Sequence, residues 1–277
     1  MELEAGQVAV VTGGASGLGF ALAEAFAARG LQLVIADVER GALDDAVARL
    51  EASGASAIGV PTDVRFAEAL DELAAATLDR FGRVDVVCNN AGVSSFPAPM
   101  WEVAENDWRW VMSVNFDGVV NGVRAFVPHL VSQNSGHVVN TASMAGISVG
   151  PLHAPYLASK HAVVAVSAGL AMELAQAAPN VGVTVVCPGQ VVTNIQAAER
   201  NRPVGLAVEA RAFDFEDPGV AGFMRWMASI THDGMTADDA AAIVVQAVES
   251  NTLYVAPNGA TEGVEAWIDG LRTDLSF

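Results

Sequence analysis

The sequence has little positive charge and contains a single lysine. Apart from Lys160, the 14 basic residues are arginines, against 32 acidic residues, and the formal net charge is −18. A surface of this sign repels phosphate backbones and anionic membrane surfaces. We therefore expect neither a nucleic-acid partner nor a membrane partner.

The sequence also shows no apolar run of the length that a membrane-spanning helix requires. Runs such as 8–11 and 183–187 have the length of a strand, whereas a spanning helix needs roughly 20 residues. The first residues, MELEAGQVAVVTGG, are acidic and lead straight into a strand-like run, unlike a secretory signal. We expect a cytoplasmic protein.

Cysteine is scarce as well. The two cysteines, Cys88 and Cys187, each end an apolar strand-like run. In a chain of this size without an export signal, such cysteines are typical of buried free thiols rather than of a disulfide. No His or Lys stands beside either one in the sequence, which argues against a catalytic thiol. No metal site is predicted.

Strand-length apolar runs recur along the chain and alternate with helix-period patterns. This alternation predicts βαβ units, and hence an α/β fold with a doubly wound, mostly parallel sheet (a Rossmann fold) and helices on both faces. We expect residues 1–277 to form one domain with about seven strands. The runs lie near residues 7–12, 31–37, 56–60, 84–89, 137–141, 183–187 and 252–256.

The region from Thr193 to about residue 236 interrupts this alternation. It contains no strand-like run and includes FDFEDPGVAGFMRWM, which is rich in Phe, Met and Trp. Long excursions in compact domains are commonly lids or binding loops. We predict a substrate lid at about 193–236; an extra surface helix pair with its own small core is the alternative.

A glycine-rich turn follows the first strand and precedes an alanine-rich helix. In Thr12–Gly19, TGGASGLG, glycines allow a tight turn and a close approach to a pyrophosphate at the helix N-terminus. Asp37 ends the second strand, where a carboxylate accepts hydrogen bonds from ribose hydroxyls. No basic residue occupies position 16 or 38 to offset repulsion of a 2′-phosphate, so we predict NAD over NADP. Arg40 is the residue best placed to overturn that preference.

Tyr156 and Lys160 are four residues apart, directly after Pro155, and no acidic residue lies within ten positions of Lys160. In a helix beginning at the proline they share one face. A cation about 4 Å away can lower the pKa of a phenol by two to three units and bring it near working pH. The alternative is an ordinary aromatic beside a solvated lysine. The chain has only two tyrosines and one lysine, which argues against coincidence.

With these motifs in place, the sequence resembles the one-domain short-chain dehydrogenases/reductases over nearly its whole length. The family pattern T-G-x-x-x-G-x-G reads TGGASGLG, N-N-A-G stands at 89–92, and Y-x-x-x-K reads YLASK. The family's serine matches Ser143, thirteen residues before Tyr156, and its helix asparagine matches Asn115. Its P-G loop matches 188–193.

The resemblance implies a role for each matched residue. Tyr156 would be the acid/base, Ser143 would orient the substrate oxygen, and Lys160 would lower the tyrosine pKa and hold the nicotinamide ribose. Asn115 would position a water that relays the proton, or would mainly kink its helix. The cofactor contacts implied are Gly13, Ser16, Gly17, Leu18, Gly19, Asp37, Val38, Asp63, Val64, Asn89, Ala91, Gly92, Tyr156, Lys160, Pro188, Gly189, Val191 and Thr193.

The same resemblance implies a substrate pocket. The late part of the sequence, from TNIQAAERNRPVG onward, is similar to the tails of family members that oxidise bulky, often aromatic, secondary alcohols, including lignin-type aryl ethers. A steroid, a terpene alcohol or a hydroxyacyl thioester is also a compatible substrate. His153 is expected to line the pocket rather than to act as a second base. Beside Ser143, the predicted substrate contacts are Ser94, Ser95, Phe96, Met144, His153, Gln190 and Asn194.

Two other functions remain compatible with the sequence. A non-catalytic NAD-binding sensor would be expected to lack a catalytic side chain, and none is missing. An NAD-dependent lyase or epimerase would be expected to show a differently spaced glycine turn and a larger substrate domain. The resemblance also implies a homo-oligomer, a tetramer or dimer, paired through the helices that contain Asn115 and Tyr156.

Overall fold

The structure is a computed structural model that describes residues 1–209, 218–259, 265 and 268. It contains a seven-stranded, parallel sheet in the order β3-β2-β1-β4-β5-β6-β7. The predicted α/β fold is confirmed. The strands are β1 (Val8–Thr12), β2 (Gln32–Asp37), β3 (Ala57–Pro61), β4 (Val86–Asn89), β5 (Gly136–Thr141), β6 (Val181–Val186) and β7 (Tyr254–Val255).

Helices follow the strands as the alternating pattern predicts. Between α4 and α5 the chain makes a π-helical turn, Ser113–Asp117. Short 3-10 segments lie at Met100–Glu102, Met144–Gly146, Asn194–Asn201 and Val204–Leu206. The α-helices are α1 (Gly17–Ala27), α2 (Arg40–Ala52), α3 (Ala67–Phe81), α4 (Glu105–Met112), α5 (Gly118–Gln133), α6 (Ala154–Ala177), α7 (Pro218–Asp233) and α8 (Ala237–Glu249).

Alternate residues of each strand bury into opposite faces of the sheet. In β1, Ala9 and Val11 pack with α1, α2 and α8, whereas Val8 and Val10 pack with α3, α4, α5 and α6. Successive side chains of a strand point to opposite faces, so a run that is apolar at every position belongs to a sheet covered on both sides.

The chain order of the strands reverses at β1. From β1 the sheet continues through β2 and β3 on one side and through β4 to β7 on the other. Such a switch point leaves a crevice at the carboxyl ends of the strands, where α/β proteins bind ligands. The glycine turn and the segment after β4 both lie at this edge.

The predicted lid region contains helix. The segment Asn194–Asn201 is 3-10 helical, α7 spans Pro218–Asp233, and residues 210–217 lie outside the described residues. Its two ends are held together because Val192 N donates to Met235 O at 2.9 Å and Met235 N donates to Gln190 O at 2.8 Å. A segment whose two ends are joined in this way is compatible with both predictions, a substrate lid or an extra surface helix pair with its own small core.

Helix α6 is an exception to the expectation that no apolar stretch of the chain reaches the length of a membrane-spanning helix. By length and composition it could cross a membrane, with a mean hydropathy of 1.2, and 28% of that stretch is buried in the described structure. The helix carries Tyr156 and Lys160 at its start. Its buried residues include Lys160, Val163 and Leu174, so it packs as part of the fold while leaving an apolar face uncovered.

Both cysteines are buried and free, as predicted. Burial raises the pKa of the Cys88 thiol, and it raises the pKa of Cys187 to about 11. Because the thiolate is the reactive species, neither residue has the character of a nucleophile.

Candidate active site

The glycine turn is held against the end of β4 by hydrogen bonds. Thr12 Oγ1 donates to Cys88 O at 3.2 Å and accepts from the amides of Asn90 and Ala91 at 2.9 and 3.2 Å. The Asn90 side chain donates to Thr12 O at 3.1 Å. Gly13 has φ +61° and lies so close to Ala91 that an added Cβ would be 2.8 Å from its Cα. Only glycine fits this position without strain.

The carboxylate of Asp37 joins the glycine turn to the start of α2. Its Oδ2 accepts from Ala15 N at 3.1 Å and its Oδ1 accepts from Glu39 N at 3.0 Å. The side chain is thereby oriented at the cleft, at the end of β2. A carboxylate in this place can accept hydrogen bonds from vicinal ribose hydroxyls.

Two ion pairs line the same end of the cleft. Arg65 is bonded to Asp63 at 2.6 Å, and Arg200 is bonded to Glu39 at 2.7 Å. Arg40, which was expected to be the residue best placed to affect cofactor preference, is not among the cleft-lining residues, whereas Arg200 is. Arg200, the arginine that replaces Arg40 in the cleft, lies 160 positions after it in the sequence and is already paired with Glu39.

A single continuous cleft collects the predicted cofactor residues, with one exception. Asn89 is 2% exposed within β4, and its amide donates to Asn140 Oδ1 at 2.8 Å. Its neighbour Asn90, the first residue after β4, lines the cleft instead. The predicted residues that line the cleft are Gly13, Ser16, Gly17, Leu18, Gly19, Asp37, Val38, Asp63, Val64, Ala91, Gly92, Tyr156, Lys160, Pro188, Gly189, Val191 and Thr193.

At the other end of the cleft lie Ser143 and Tyr156, and the Ser143 side chain acts to lower the pKa of the Tyr156 phenol. Ser143 follows β5 and caps a 3-10 turn, where its Oγ accepts from Ala145 N at 3.1 Å. Tyr156 is in the first turn of α6, after Pro155. The spacing of thirteen residues therefore brings both side chains to the same cleft.

Lys160 lies one turn further along α6 and is 2% exposed. Its Nζ donates to Thr141 O at 2.8 Å and lies 5.6 Å from the centroid of the Tyr156 ring. No carboxylate in the described residues forms an ion pair with it. Burial lowers the pKa of Lys160 from its ordinary 10.5 to about 8, because desolvation disfavours the ammonium.

The expected lowering of the Tyr156 pKa by Lys160 is not found in this structure. Burial raises the pKa of the Tyr156 phenol, and the hydrogen bond with Ser143 acts in the opposite direction. The ammonium interacts with the Thr141 carbonyl, and desolvation disfavours its charge as well as that of a phenolate. The sequence estimate counted the attraction between the two groups and left out the burial of both.

Asn115 is fully buried in the π-helical turn. Its Oδ1 accepts from Val93 N at 2.8 Å, and its Nδ2 donates to Val93 O at 3.0 Å and to Ser159 Oγ at 3.1 Å. Ser159 Oγ donates in turn to Tyr156 O at 2.8 Å. The side chain thus connects the segment after β4 to the helix that carries Tyr156 and Lys160.

His153 packs directly on the phenol. Its ring stacks on Tyr156 with a centroid distance of 4.7 Å and an interplanar angle of 12°, and Phe223 of α7 meets it edge-on at 5.4 Å. Its Nε2 is 2.7 Å from Ser94 Oγ. Burial lowers the pKa of His153 to about 4, so the imidazole is neutral at physiological pH, as expected of a lining residue.

The residue before His153 has an unusual backbone. Leu152 has φ +67°, a left-handed conformation that disfavours side chains with a Cβ. Its carbonyl accepts from Ala98 N at 2.9 Å, which ties this loop to the segment after β4. Strain of this kind persists where the surrounding structure holds it, and here it directs the chain into the turn that presents His153 and Tyr156.

The other predicted substrate residues lie in three segments around Tyr156. Ser95 is 7% exposed with its hydroxyl unpaired among the described residues, while the neighbouring Phe96 is 48% exposed. Met144 begins the 3-10 turn after Ser143. Gln190 is at the base of the lid region, and Asn194 lines the cleft together with the cofactor residues.

The cleft matches the chemistry of a dinucleotide along its length. One end offers a carboxylate for ribose hydroxyls, the middle offers a glycine turn and the N-terminus of α1 for a pyrophosphate, and the other end offers a tyrosine, a serine and a buried lysine. Asn90, Glu39 and Arg200 line it too, and the sequence reading did not identify them as cofactor residues. For Asn90, the N-N-A-G motif was the available signal.

Comparisons with known proteins agree with this geometry. Residues 7–203 match the family model described as short chain dehydrogenase. The chain is 34% identical over 257 residues to a C alpha-dehydrogenase of Sphingobium sp., covering 91% of this chain and 80% of that protein. It is 45% identical over 193 residues, 68% of each chain, to a 1-deoxy-11-beta-hydroxypentalenate dehydrogenase of Streptomyces arenae.

Solved structures show the same relationship. A short chain dehydrogenase/reductase from Burkholderia phymatum, in complex with NAD, superposes with a TM-score of 0.91 at 39% identity, covering 99% of this chain and 96% of that one. The family match spans Ser143, Tyr156 and Lys160. The chain belongs to the short-chain dehydrogenase/reductase family of oxidoreductases.

Proposed function

We propose that this protein is an NAD-dependent dehydrogenase of bulky, aromatic or alicyclic secondary alcohols, or a reductase of the corresponding ketones. The observation that carries the proposal is that Ser143, Tyr156 and Lys160 line one end of a dinucleotide-shaped cleft, with Lys160 one helical turn after Tyr156. The prediction of NAD agrees with the family membership and with the related structure solved with that cofactor.

We assign parts of the cofactor to particular residues of the cleft. Asp37 would receive the adenosine ribose hydroxyls, and the turn from Gly13 to Gly19 would hold the pyrophosphate. Pro188 to Thr193, with Lys160, would hold the nicotinamide end. When bound, NAD supplies the hydride acceptor for alcohol oxidation, or NADH the donor for ketone reduction.

The proton is handled by the protein's own side chains. In alcohol oxidation, Tyr156 Oη takes the hydroxyl proton of the substrate, and Ser143 orients the same oxygen by hydrogen bonding. In ketone reduction, Tyr156 donates that proton. Burial makes the isolated phenol a weak acid; the Ser143 hydrogen bond favours its ionised form, and the buried ammonium of Lys160 contributes positive charge at the same end of the cleft.

Asn115 acts on this site as a positioning residue. Its amide bonds to Val93 and Ser159 hold the start of α6 against the segment after β4. A π-helical turn leaves main-chain carbonyls outside the regular helical pattern, and such turns are frequent at functional sites. A water held there is our proposal for the proton path to solvent.

An apolar, ring-shaped substrate suits the surroundings of Tyr156. The rings of His153 and Phe223 lie beside the phenol, and Phe96 is about half exposed on the adjoining segment. Because Phe223 belongs to α7, the proposed lid contributes directly to the pocket wall. One relative named above, the 1-deoxy-11-beta-hydroxypentalenate dehydrogenase, carries a hydroxylated compound in its name, which is compatible with an alcohol substrate.

The test is NADH formation by the purified protein, with NAD and NADP in parallel, on a panel of secondary alcohols. The panel contains 1-aryl alcohols, an aryl-ether alcohol, a hydroxysteroid, a monoterpenol and a hydroxyacyl thioester. The proposal predicts turnover of one ring-containing class with NAD. NAD binding without turnover of any member would favour the sensor or the lyase instead, and turnover of the thioester alone would contradict the substrate class.

We also propose that the protein is a cytoplasmic homo-oligomer, a dimer or tetramer, paired through α6 and the helical segment that contains Asn115. The support is the incompletely covered apolar surface of α6, where Met172 is 72% exposed. Light scattering of the purified protein measures the mass directly. A dimer or tetramer that dissociates on Met172→Glu is expected, and a monomeric wild-type protein would contradict this arrangement.

A further inference from the structure

A short segment from the start of the proposed lid crosses to the adenosine end of the cleft. We call this segment, Asn194–Asn201, the strap. Two of its residues bind one carboxylate: Arg200 Nε and Asn201 Nδ2 donate to Glu39 Oε1 at 3.0 and 2.8 Å. Glu39 is the N-cap of α2, two residues after the end of β2, so the contact joins parts of the chain that are 161 positions apart.

A second set of contacts anchors the end of the strap to α4. Arg202, directly after it, is bonded to Asp107 at 2.7 Å and to Glu199 at 2.6 Å, and its guanidinium lies 4.1 Å from the ring centroid of Trp110. The Arg202 side chain is 6% exposed. This buried anchor holds the end of the strap to α4 independently of Glu39, so the loss of the Glu39 contact would leave Arg200 near the cleft.

Glu39 and Arg200 both line the cleft that contains Asp37. A guanidinium is the natural partner of a phosphate, through paired N–H donors. Here its Nε and one Nη bind the Glu39 carboxylate, and the remaining Nη donates to Ala197 O at 2.7 Å. Arg65, the other arginine that lines the described cleft, is paired with Asp63.

We propose that Glu39 is a second determinant of cofactor preference, and that its contact with the strap closes the adenosine end of the cleft. Because Arg200 is paired with Glu39, its positive charge is not available to bind the 2′-phosphate of NADP. The hydrogen bonds from Arg200 and Asn201 to Glu39 also hold the strap over the bound dinucleotide and slow its release. This inference rests on the proposed function only in requiring that NAD is the cofactor.

The test measures binding rather than turnover. Dissociation rates and affinities for NADH and NADPH are followed by cofactor fluorescence in wild type, Glu39→Gln, Arg200→Gln and Glu51→Gln. Glu51 is an exposed residue near the other end of α2, whose N-cap is Glu39, so its variant removes the same charge roughly 18 Å away along the helix axis at 1.5 Å per residue.

Each variant has a distinct expected result. Glu39→Gln should bind NADPH about tenfold more tightly and release NADH about fivefold faster, as loss of a partly exposed charged contact allows. Arg200→Gln should release NADH equally fast without any gain in NADPH affinity. Glu51→Gln should match wild type. If Glu39→Gln behaves like Glu51→Gln with both cofactors, the proposal is wrong.

A second readout needs no cofactor. In the cofactor-free protein, hydrogen exchange of the strap amides should accelerate in Glu39→Gln and in Arg200→Gln, while amides of β1 remain protected. Unchanged exchange in the strap would contradict the closing contact. A wild-type protein with normal exchange that binds neither NADH nor NADPH would instead contradict the proposed function itself.

Discussion

The two ends of the cleft handle charge in opposite ways. At the catalytic end, Lys160 is buried without an acidic partner in the described residues, and burial lowers its pKa to about 8. At the adenosine end, Arg65 and Arg200 are partly exposed and each is paired with a carboxylate. Burying an unpaired charge costs folding free energy and shifts the pKa of the group. An ion pair that is partly exposed contributes little to stability and mainly fixes the orientation of its two side chains.

The largest expected effect comes from Lys160→Met. It should lower kcat/KM about 10³-fold, because the cofactor and the phenol lose their cation. The same change should raise the free energy of unfolding at pH 7 by about 1–2 kcal/mol, since relief of a buried charge outweighs an unpaired Thr141 carbonyl. Chemical denaturation of the cofactor-free protein measures this gain.

Lys160→Arg is the matched control for that variant. It keeps the charge, so it should lose activity without gaining stability, because the planar guanidinium does not fit the place of an ammonium. A Lys160→Met protein that is less stable than wild type, or an Arg variant with normal activity, would erase the contrast between the two ends of the cleft.

The same lysine should make stability depend on pH. Its folded pKa of about 8 lies below the ordinary 10.5, so between these values the unfolded chain binds more protons at this site. Lys160 should therefore contribute a rise in the free energy of unfolding of wild type from pH 8 toward pH 10, by up to about 3 kcal/mol over the full interval, against the loss that the raised pKa values of Cys88 and Cys187 cause in both proteins. Lys160→Met should lack that rise. Parallel curves for the two proteins would show that Lys160 is not desolvated.

Ser143→Ala should lower kcat/KM about 10²-fold. It also removes the hydrogen bond that lowers the pKa of Tyr156, so the activity profile for alcohol oxidation should shift to higher pH. Ser148→Ala is a suitable control, because Ser148 Oγ bonds to Met144 O in the same loop. An unshifted profile in Ser143→Ala would separate the serine from the ionisation of the tyrosine.

His153→Phe should have a smaller effect, about tenfold on kcat/KM by loss of the Ser94 hydrogen bond with the stacked ring kept. His153→Ala should lose more, mostly through KM for the alcohol, because the pocket wall is removed. Since the pKa of His153 is about 4, neither variant should remove an ionisation between pH 5 and 8. If one did, His153 would be acting as a second base.

Arg65→Gln should have the smallest effect. The Asp63–Arg65 pair is partly exposed, so its loss should change the free energy of unfolding by about 0.5 kcal/mol and NADH affinity by less than about threefold. Denaturation and NADH titration measure the two quantities. A loss near that caused by breaking a buried pair, about 3 kcal/mol, would show that this end of the cleft is more desolvated than its exposure indicates.

Local patterns were enough to predict the sheet and most of the cleft. The strands are near the predicted positions because each apolar run is short and ends at a turn, and Tyr156 and Lys160 share a helix face because of their spacing. Asn89 was assigned to the cleft in place of Asn90, since the motif gives neighbours but not which neighbour points inward.

Long-range contacts and the depth of burial could not be predicted from the sequence. The Glu39–Arg200 contact depends on where the strap crosses the cleft, which no local pattern encodes. The sequence therefore pointed to Arg40, which does not line the cleft, and not to Arg200, which does. The sign of the Tyr156 pKa shift depends on how deeply both groups are buried. Sequence distance between the two residues gives their attraction but not their desolvation.

The most direct test of the central claim compares the two tyrosines of the chain. Tyr156→Phe and Tyr254→Phe each remove one hydroxyl, from the cleft and from an exposed strand residue respectively. We predict that Tyr156→Phe binds NADH like wild type but loses at least about 10³-fold in kcat with the alcohol identified by the panel, whereas Tyr254→Phe is unchanged. Turnover by Tyr156→Phe at the wild-type rate would contradict the assignment of Tyr156 as the acid/base.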